Sequence, residues 1–264
     1  MKLNSPISDR FDDADLSVDD FLGGLVKIAQ PLKGYRGGVD PVLLAASIPA
    51  KVGETVLELG CGGGVASLCL AWRVAGLTQM GVELQENYAD LACRNAERNA
   101  LDLNVVHADI NALPFEVLDQ RFDHVFANPP YYDRAHSVPA QDKGRETGLG
   151  GDTPLKKWVA VASKRLAPKG QAHFVQRADR LADLLSAVHA HLGSIEVQPL
   201  CARRGRAAHL VLVRGKKLGR ADFCLHAPIV MHVGPRHDEN SKNYNEIIEA
   251  VLRRGAGLPF GGTL

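Results

Sequence analysis

Apolar and polar positions along this chain fall into two alternating rhythms. Short apolar runs stand at 55–59, 77–83, 105–108, 122–127 and 171–176, and longer amphipathic stretches lie between most of them. The short runs have the length of buried strands, and the long ones repeat with a helical period. Helices are predicted at 40–48, 65–74, 85–99, 155–166 and 181–191. The first is opened by Asp40-Pro41, a helix cap followed by a first-turn proline. Strands alternating with helices predict an α/β, doubly wound, mostly parallel sheet with helices on both faces. Two further runs, 195–200 and 209–214, have no helix between them. They predict an antiparallel edge hairpin and complete a seven-stranded sheet. A glycine-interrupted apolar stretch at 21–30 predicts a separate hairpin or edge strand. Residues 1–20, polar and Asp-rich, read as a loosely held arm, and 21–264 as a single domain.

Composition removes several classes without changing this picture. With 45% hydrophobic and 23% charged residues the chain is an ordinary globular sequence. No apolar run approaches the roughly 18 residues that would cross a bilayer, and the first residues lack the apolar stretch of a secretory signal. The five cysteines form no CxxC pair, which suits reduced thiols in a cytoplasm and argues against structural zinc. His226, His232 and His237 lack ligand spacing, so no metal is expected. His173, on a strand, reads as a core histidine. The net charge of +1 hides an asymmetry: residues 200–264 hold eleven Lys/Arg against five Asp/Glu. Arg203, Arg204 and Arg206, with Lys216 and Lys217, are candidate phosphate contacts.

The candidate chemistry gathers at strand ends. Asn128-Pro129-Pro130-Tyr131 follows the run 122–127 and makes a rigid corner where a doubly wound sheet keeps its ligand crevice. The Asn128 side-chain oxygen and a proline carbonyl are acceptors, and neither proline nitrogen can donate. The corner therefore suits an incoming NH2 group, with Tyr131 as a flat stacking surface and Tyr132 as a second wall of the pocket. Glu58-Leu59-Gly60-Cys61-Gly62-Gly63-Gly64 joins the first strand of the run to its helix. Glycines permit a tight turn and close backbone approach, and the helix start offers free N–H groups, which suits an adenosine-like cofactor. Glu58 disfavours a pyrophosphate and suits a ligand carrying an amino group. Glu83 closes the next strand, where an acid can accept both ribose hydroxyls, and Asp109 closes the one after, within reach of an adenine amine. The polar loop 135–151, with Arg134 and His136, reads as a lid.

In this order, Glu-Leu-Gly-Cys-Gly-Gly-Gly, Gly-Val-Glu, Ala-Asp and Asn-Pro-Pro-Tyr resemble the class I S-adenosylmethionine-dependent methyltransferases that act on amines. Gly34-Tyr35-Arg36-Gly37-Gly38-Val39-Asp40-Pro41-Val42-Leu43-Leu44-Ala45 is similar, more specifically, to the bacterial tRNA1(Val) adenine-N6 methyltransferases. The segment Arg145…Leu155…Trp158 and the later Asn243-Tyr244-Asn245-Glu246 fit the same family, so the resemblance spans roughly residues 21–255. Glu58 stands where the family usually has aspartate. The resemblance implies a Rossmann-like fold and S-adenosyl-L-methionine as cofactor. It places the methionine end at Glu58, Gly60, Gly62 and Gly64, the ribose on Glu83, the adenine by Asp109 and the sulfonium toward Asn128. It also implies tRNA as partner, with Tyr131, Tyr132, Arg36, Arg203, Arg204 and Arg206 as candidate substrate contacts and the 128–131 corner as the catalytic element. Three other readings use the same residues. They are methylation of a glutamine amide in peptide release factors, methylation of guanine N2 in ribosomal RNA, and a non-catalytic module that binds S-adenosylmethionine or RNA. The short stretch before the cofactor loop weighs against the first, and the intact acids and corner weigh against the last. The glycine spacing disfavours a dehydrogenase.

Overall fold

A computed structural model describes residues 10–133, 150–151, 153–234 and 244–261. The chain enters through an antiparallel hairpin, β1 (Leu16–Phe21) and β2 (Val26–Pro31). The hairpin expected at 21–30 thus starts five residues earlier, within the stretch read as an arm. Helix α1 (Val39–Ser47) precedes an alternating series: β3 (Thr55–Leu59), α2 (Val65–Arg73), β4 (Thr78–Glu83), α3 (Glu86–Asn99), β5 (Asn104–His107), the short α4 (Phe115–Leu118) and β6 (Phe122–Ala127). Two-residue strands β7 (Tyr132–Asp133) and β8 (Gly150–Gly151) pair with each other alone. Then come α5 (Leu155–Arg165), β9 (Leu166–Arg177), α6 (Leu181–His189), β10 (Gly193–Cys201) and β11 (Ala208–Lys216). Next stand β12 (Cys224–Leu225), β13 (Ile229–Val230) and α7 (Glu246–Arg254).

The main sheet has the order β12-β10-β11-β9-β6-β3-β4-β5, with β13 also on β10. It therefore holds nine strands among the described residues and not seven. The seven long ones were legible as apolar runs. The two extra strands are only two residues long, too short for any period, and both pair parallel to β10, at Glu196–Val197 and Leu200–Cys201. Because they lie outside β10, the antiparallel β10–β11 pair is not itself the sheet's rim. The parallel strands are largely buried, as strands covered on both faces are, and even their polar residues Glu58, Gln79, Glu83 and His124 lie inside. One face packs against α1, α2 and α7 through Leu43, Leu44, Leu68, Ile248 and Val251. The other packs against α5 and α6 through Trp158, Val159, Leu184 and Val188. Helix α7 escaped the sequence reading; it is capped by Asn245, whose side-chain oxygen accepts from the Ile248 amide at 2.7 Å.

Register fixes where function sits. Leu59 lies beside Ala127, Leu59 beside Val82, and Glu83 beside His107. The carboxyl ends of β3, β4, β5 and β6 therefore share one rim. Arg177 at the end of β9 pairs with Leu210, so the turn between β10 and β11 projects over that same rim. Lys216 pairs with Gln171 at the opposite end.

Candidate functional site

A cavity of about 500 Å³ opens on this rim. Its floor is the turn from β3 to α2, where Gly60, Gly62 and Gly64 have φ of +69°, +53° and +84°. At Gly60 the restriction is double, because a Cβ there would also approach Trp158 Cη2 to 2.7 Å. The floor is pinned from below by an acid: Glu83 accepts the Gly62 amide at 2.8 Å and the Gln85 amide at 2.9 Å. Burial pushes its carboxyl above the ordinary range, against those amide bonds. Glu58 is only 3% exposed. It accepts the Ser67 amide at 3.1 Å and the Ser67 hydroxyl at 2.5 Å. Burial still raises its pKa to about 8, so the fold favours its neutral form. Asp109 accepts the Asn111 amide at 2.8 Å and lines the wall beside Ile110 and Thr153. Gly60, Gly62, Glu58, Glu83 and Asp109 thus converge on one cavity, while Gly64 supplies the turn that starts α2.

Asn128 and Pro130 reach the cavity from β6. The Asn128 amide nitrogen donates to the Tyr35 hydroxyl at 3.4 Å, and its Oδ1 is a buried acceptor without a protein partner. A buried amide oxygen left unpaired costs on the order of 1–3 kcal/mol, so the corner is built to receive a donor. The Pro129 carbonyl takes only a long contact from Gln176 Nε2, at 3.5 Å. The indole N–H of Trp158, on the cavity wall, is likewise buried and unpartnered.

Several predicted substrate contacts stand elsewhere. Tyr131 gives its hydroxyl to Asp40 and packs its ring against the core, not on the cavity wall, because the half-buried carboxylate of Asp40 claims the phenol. Arg36 is spent on the hairpin: it binds Asp19 at 2.5 Å, Ser17 at 2.9 Å and the Pro31 carbonyl at 2.8 Å. Arg203 donates to the carbonyls of Val233 and Gly234. Arg204 and Arg206 are exposed in the rim turn. Lys217 donates to the Ser163 and Leu166 carbonyls at the far end of the sheet, so the Lys216–Lys217 pair does not join them. His173 is buried and shares one ring nitrogen with His124 at 3.1 Å, while its Nδ1 has no partner. The ring of Tyr132, and the 134–149 portion of the loop read as a lid, lie outside the described residues. Conversely, Tyr35, Ser67, Tyr88 and Trp158 belong to the site and carried no local signal of their role.

Comparison with known proteins agrees with this geometry. A family model described as a methyltransferase domain matches residues 56–141. A tRNA1(Val) (adenine(37)-N6)-methyltransferase of Shewanella baltica is 32% identical over 189 residues, covering 68% of this chain and 76% of that protein. One of the same name from Glaesserella parasuis is 26% identical and is covered over 92% of its length. The alignment with the Porphyromonas gingivalis relative, at 34% identity, spans 58% of that protein. Among solved structures, a predicted O-methyltransferase of Agrobacterium tumefaciens superimposes with a TM-score of 0.66 at 24% identity, over 83% of this chain and 98% of that one. At that identity the likeness speaks for the fold alone.

Proposed function

This chain belongs to the family of tRNA1(Val) (adenine(37)-N6)-methyltransferases, and from that premise we propose that it methylates the exocyclic N6 amine of an adenine beside a tRNA anticodon. The observation that carries the reading is the unpaired, buried Oδ1 of Asn128, which opens on the same cavity as the glycine turn and its two acids.

The residues fit S-adenosylmethionine: a glycine-rich cradle at Gly60–Gly64, Glu58 beneath it, Glu83 at the end of β4 and Asp109 at the end of β5 would hold it. When bound, it supplies a methyl group activated by a sulfonium. The chain's own task is to present the nucleophile. A purine amine is a weak one because its lone pair is delocalised into the ring. Asn128 Oδ1 accepts one of its protons and the Pro129 carbonyl, whose second lone pair is uncommitted, accepts the other. The nitrogen is then free to pyramidalise, and no strong base is needed, since the proton departs after transfer. Alignment of this kind supplies on the order of 7–11 kcal/mol in well-oriented reactions. A loop nucleotide is already unpaired, so extruding it costs little. Arg204 and Arg206 overhang the rim where the flanking phosphates would pass. A tRNA substrate implies action in the cytoplasm, and among the described residues no helix is long and apolar enough to cross a membrane.

The test is to incubate the protein with labelled S-adenosylmethionine and unmodified tRNA, then digest and identify the product by mass spectrometry. N6-methyladenosine at position 37 is expected. Label found only in a release-factor glutamine or in guanine N2 of ribosomal RNA would replace the substrate while keeping the corner.

A further inference from the structure

We propose that the segment Gly34–Pro41 is a positioning brace for the 128–131 corner, in which the Tyr35 hydroxyl holds Asn128 with its oxygen turned toward the incoming amine. The inference rests on the function proposed above and deepens it.

The segment grips the corner at both ends. Tyr35 accepts the Asn128 amide nitrogen at 3.4 Å, and Asp40 accepts the Tyr131 hydroxyl. It is itself held from three sides. The Tyr88 hydroxyl takes the Tyr35 amide at 2.7 Å and donates to the Tyr35 carbonyl at 3.0 Å. The Gln30 side chain closes a pair of bonds with Gly37, accepting its amide at 2.8 Å and reaching its carbonyl at 3.3 Å. Arg36 ties the same stretch to Asp19 and Ser17 in the hairpin. A contact to Asn128 from so restrained a segment has one geometry.

Orientation matters because the two ends of an asparagine amide are nearly the same shape, so packing cannot choose between them; a hydrogen-bond partner must. With its NH2 end toward the substrate, Asn128 would oppose a donor with a donor. A phenol can either donate or accept, and its surroundings decide. Burial, and after it the charge of Asp40, push the pKa of the Tyr35 hydroxyl far up, so it stays neutral. The Asp40 charge favours the O–H hydrogen turned toward it, which leaves a lone pair for the Asn128 NH2. The same field draws the positive end of the amide inward and its oxygen outward.

Tyr35→Phe keeps the ring beside Gly62 and removes only the acceptor. The expected result is a fall in kcat of about tenfold, with KM for tRNA and Kd for S-adenosylmethionine changed less than threefold. Tyr35→Phe combined with Asn128→Ala should be no slower than Asn128→Ala alone, because the hydroxyl acts through the amide. An unchanged kcat in Tyr35→Phe, or an additive loss in the double variant, overturns the proposal. Asp40→Asn, equal in shape, is the second variant, with kcat expected to fall several-fold at unchanged cofactor affinity; full activity there counts against the brace. An independent readout is the side-chain NH2 resonance pair of Asn128, assigned by its absence in Asn128→Ala, which should shift in Tyr35→Phe. That shift needs no substrate. Wild-type protein silent on tRNA would sink the substrate reading, and the brace would then stand or fall on the resonance.

Discussion

The two halves of the cavity are built by opposite means. The cofactor side is local: Glu58, the glycine turn and Ser67 lie within ten residues, and Glu83 reaches Gly62 from the neighbouring strand. The corner side is assembled from afar, since Tyr35 and Asp40 lie 93 and 91 residues from the groups they hold. A local site is written as a motif, whereas an assembled one is written as scattered, individually ordinary residues. One half can therefore fail while the other survives.

Asn128→Ala separates them most sharply. Loss of one preorganised hydrogen-bonding group costs about 10²–10³-fold in turnover, and cofactor affinity should stay within a few-fold by calorimetry. Comparable losses of both would mean that the halves are one unit.

Next in size is a pH effect confined to the cofactor side. Glu58 has its pKa raised from 4.5 to about 8 by burial, so the folded state binds a proton that the unfolded state releases. Its contribution is full below about pH 4.5 and is lost as pH rises through about 8; the raised Glu83 acts in the same direction. The ligand-free protein should melt lower at pH 8.5 than at pH 5.5, by on the order of 5 °C, and Glu58→Gln should flatten the slope. A melting temperature that rises over this window would show that Glu58 is ionised in the fold.

Gly60→Ala is the mirror image of the first test. The left-handed φ and the Trp158 ring both oppose a methyl there, at a cost of roughly 1–3 kcal/mol. Cofactor affinity should fall about tenfold, while the turnover of cofactor-saturated enzyme changes little. Smallest is the outer edge of the corner side. Arg204→Glu with Arg206→Glu should weaken tRNA binding and flatten its dependence on salt by about one log unit per lost phosphate contact. An unchanged salt slope would make that turn plain surface.

The same division explains what could be read in advance. The seven long strands, the glycine turn, Glu83, Asp109 and the corner were legible because each is a contiguous signal, an apolar run or a turn at its end. Tyr131 was misplaced as a stacking platform because nothing near it announces Asp40. Arg203 looked like a phosphate contact by charge and Arg36 like a substrate contact by resemblance, yet their partners, the Val233 and Gly234 carbonyls and Asp19, are long-range. Strands β12 and β13 are too short to carry a period, and α7 follows a stretch with no apolar rhythm.

Those two short strands also bear on the protein's behaviour in company. An outer strand with a free row of amide and carbonyl groups is a template on which another chain can add itself. β10, nine residues long and largely apolar, would be such a template. β12 and β13 occupy it in two separate two-residue grips, and between them Gln198 donates to the Ala227 carbonyl and accepts the Gly261 amide. The segment 224–230 thus covers the outer edge of β10. Trimming it should yield a chain that aggregates before it loses its methyl-transfer site.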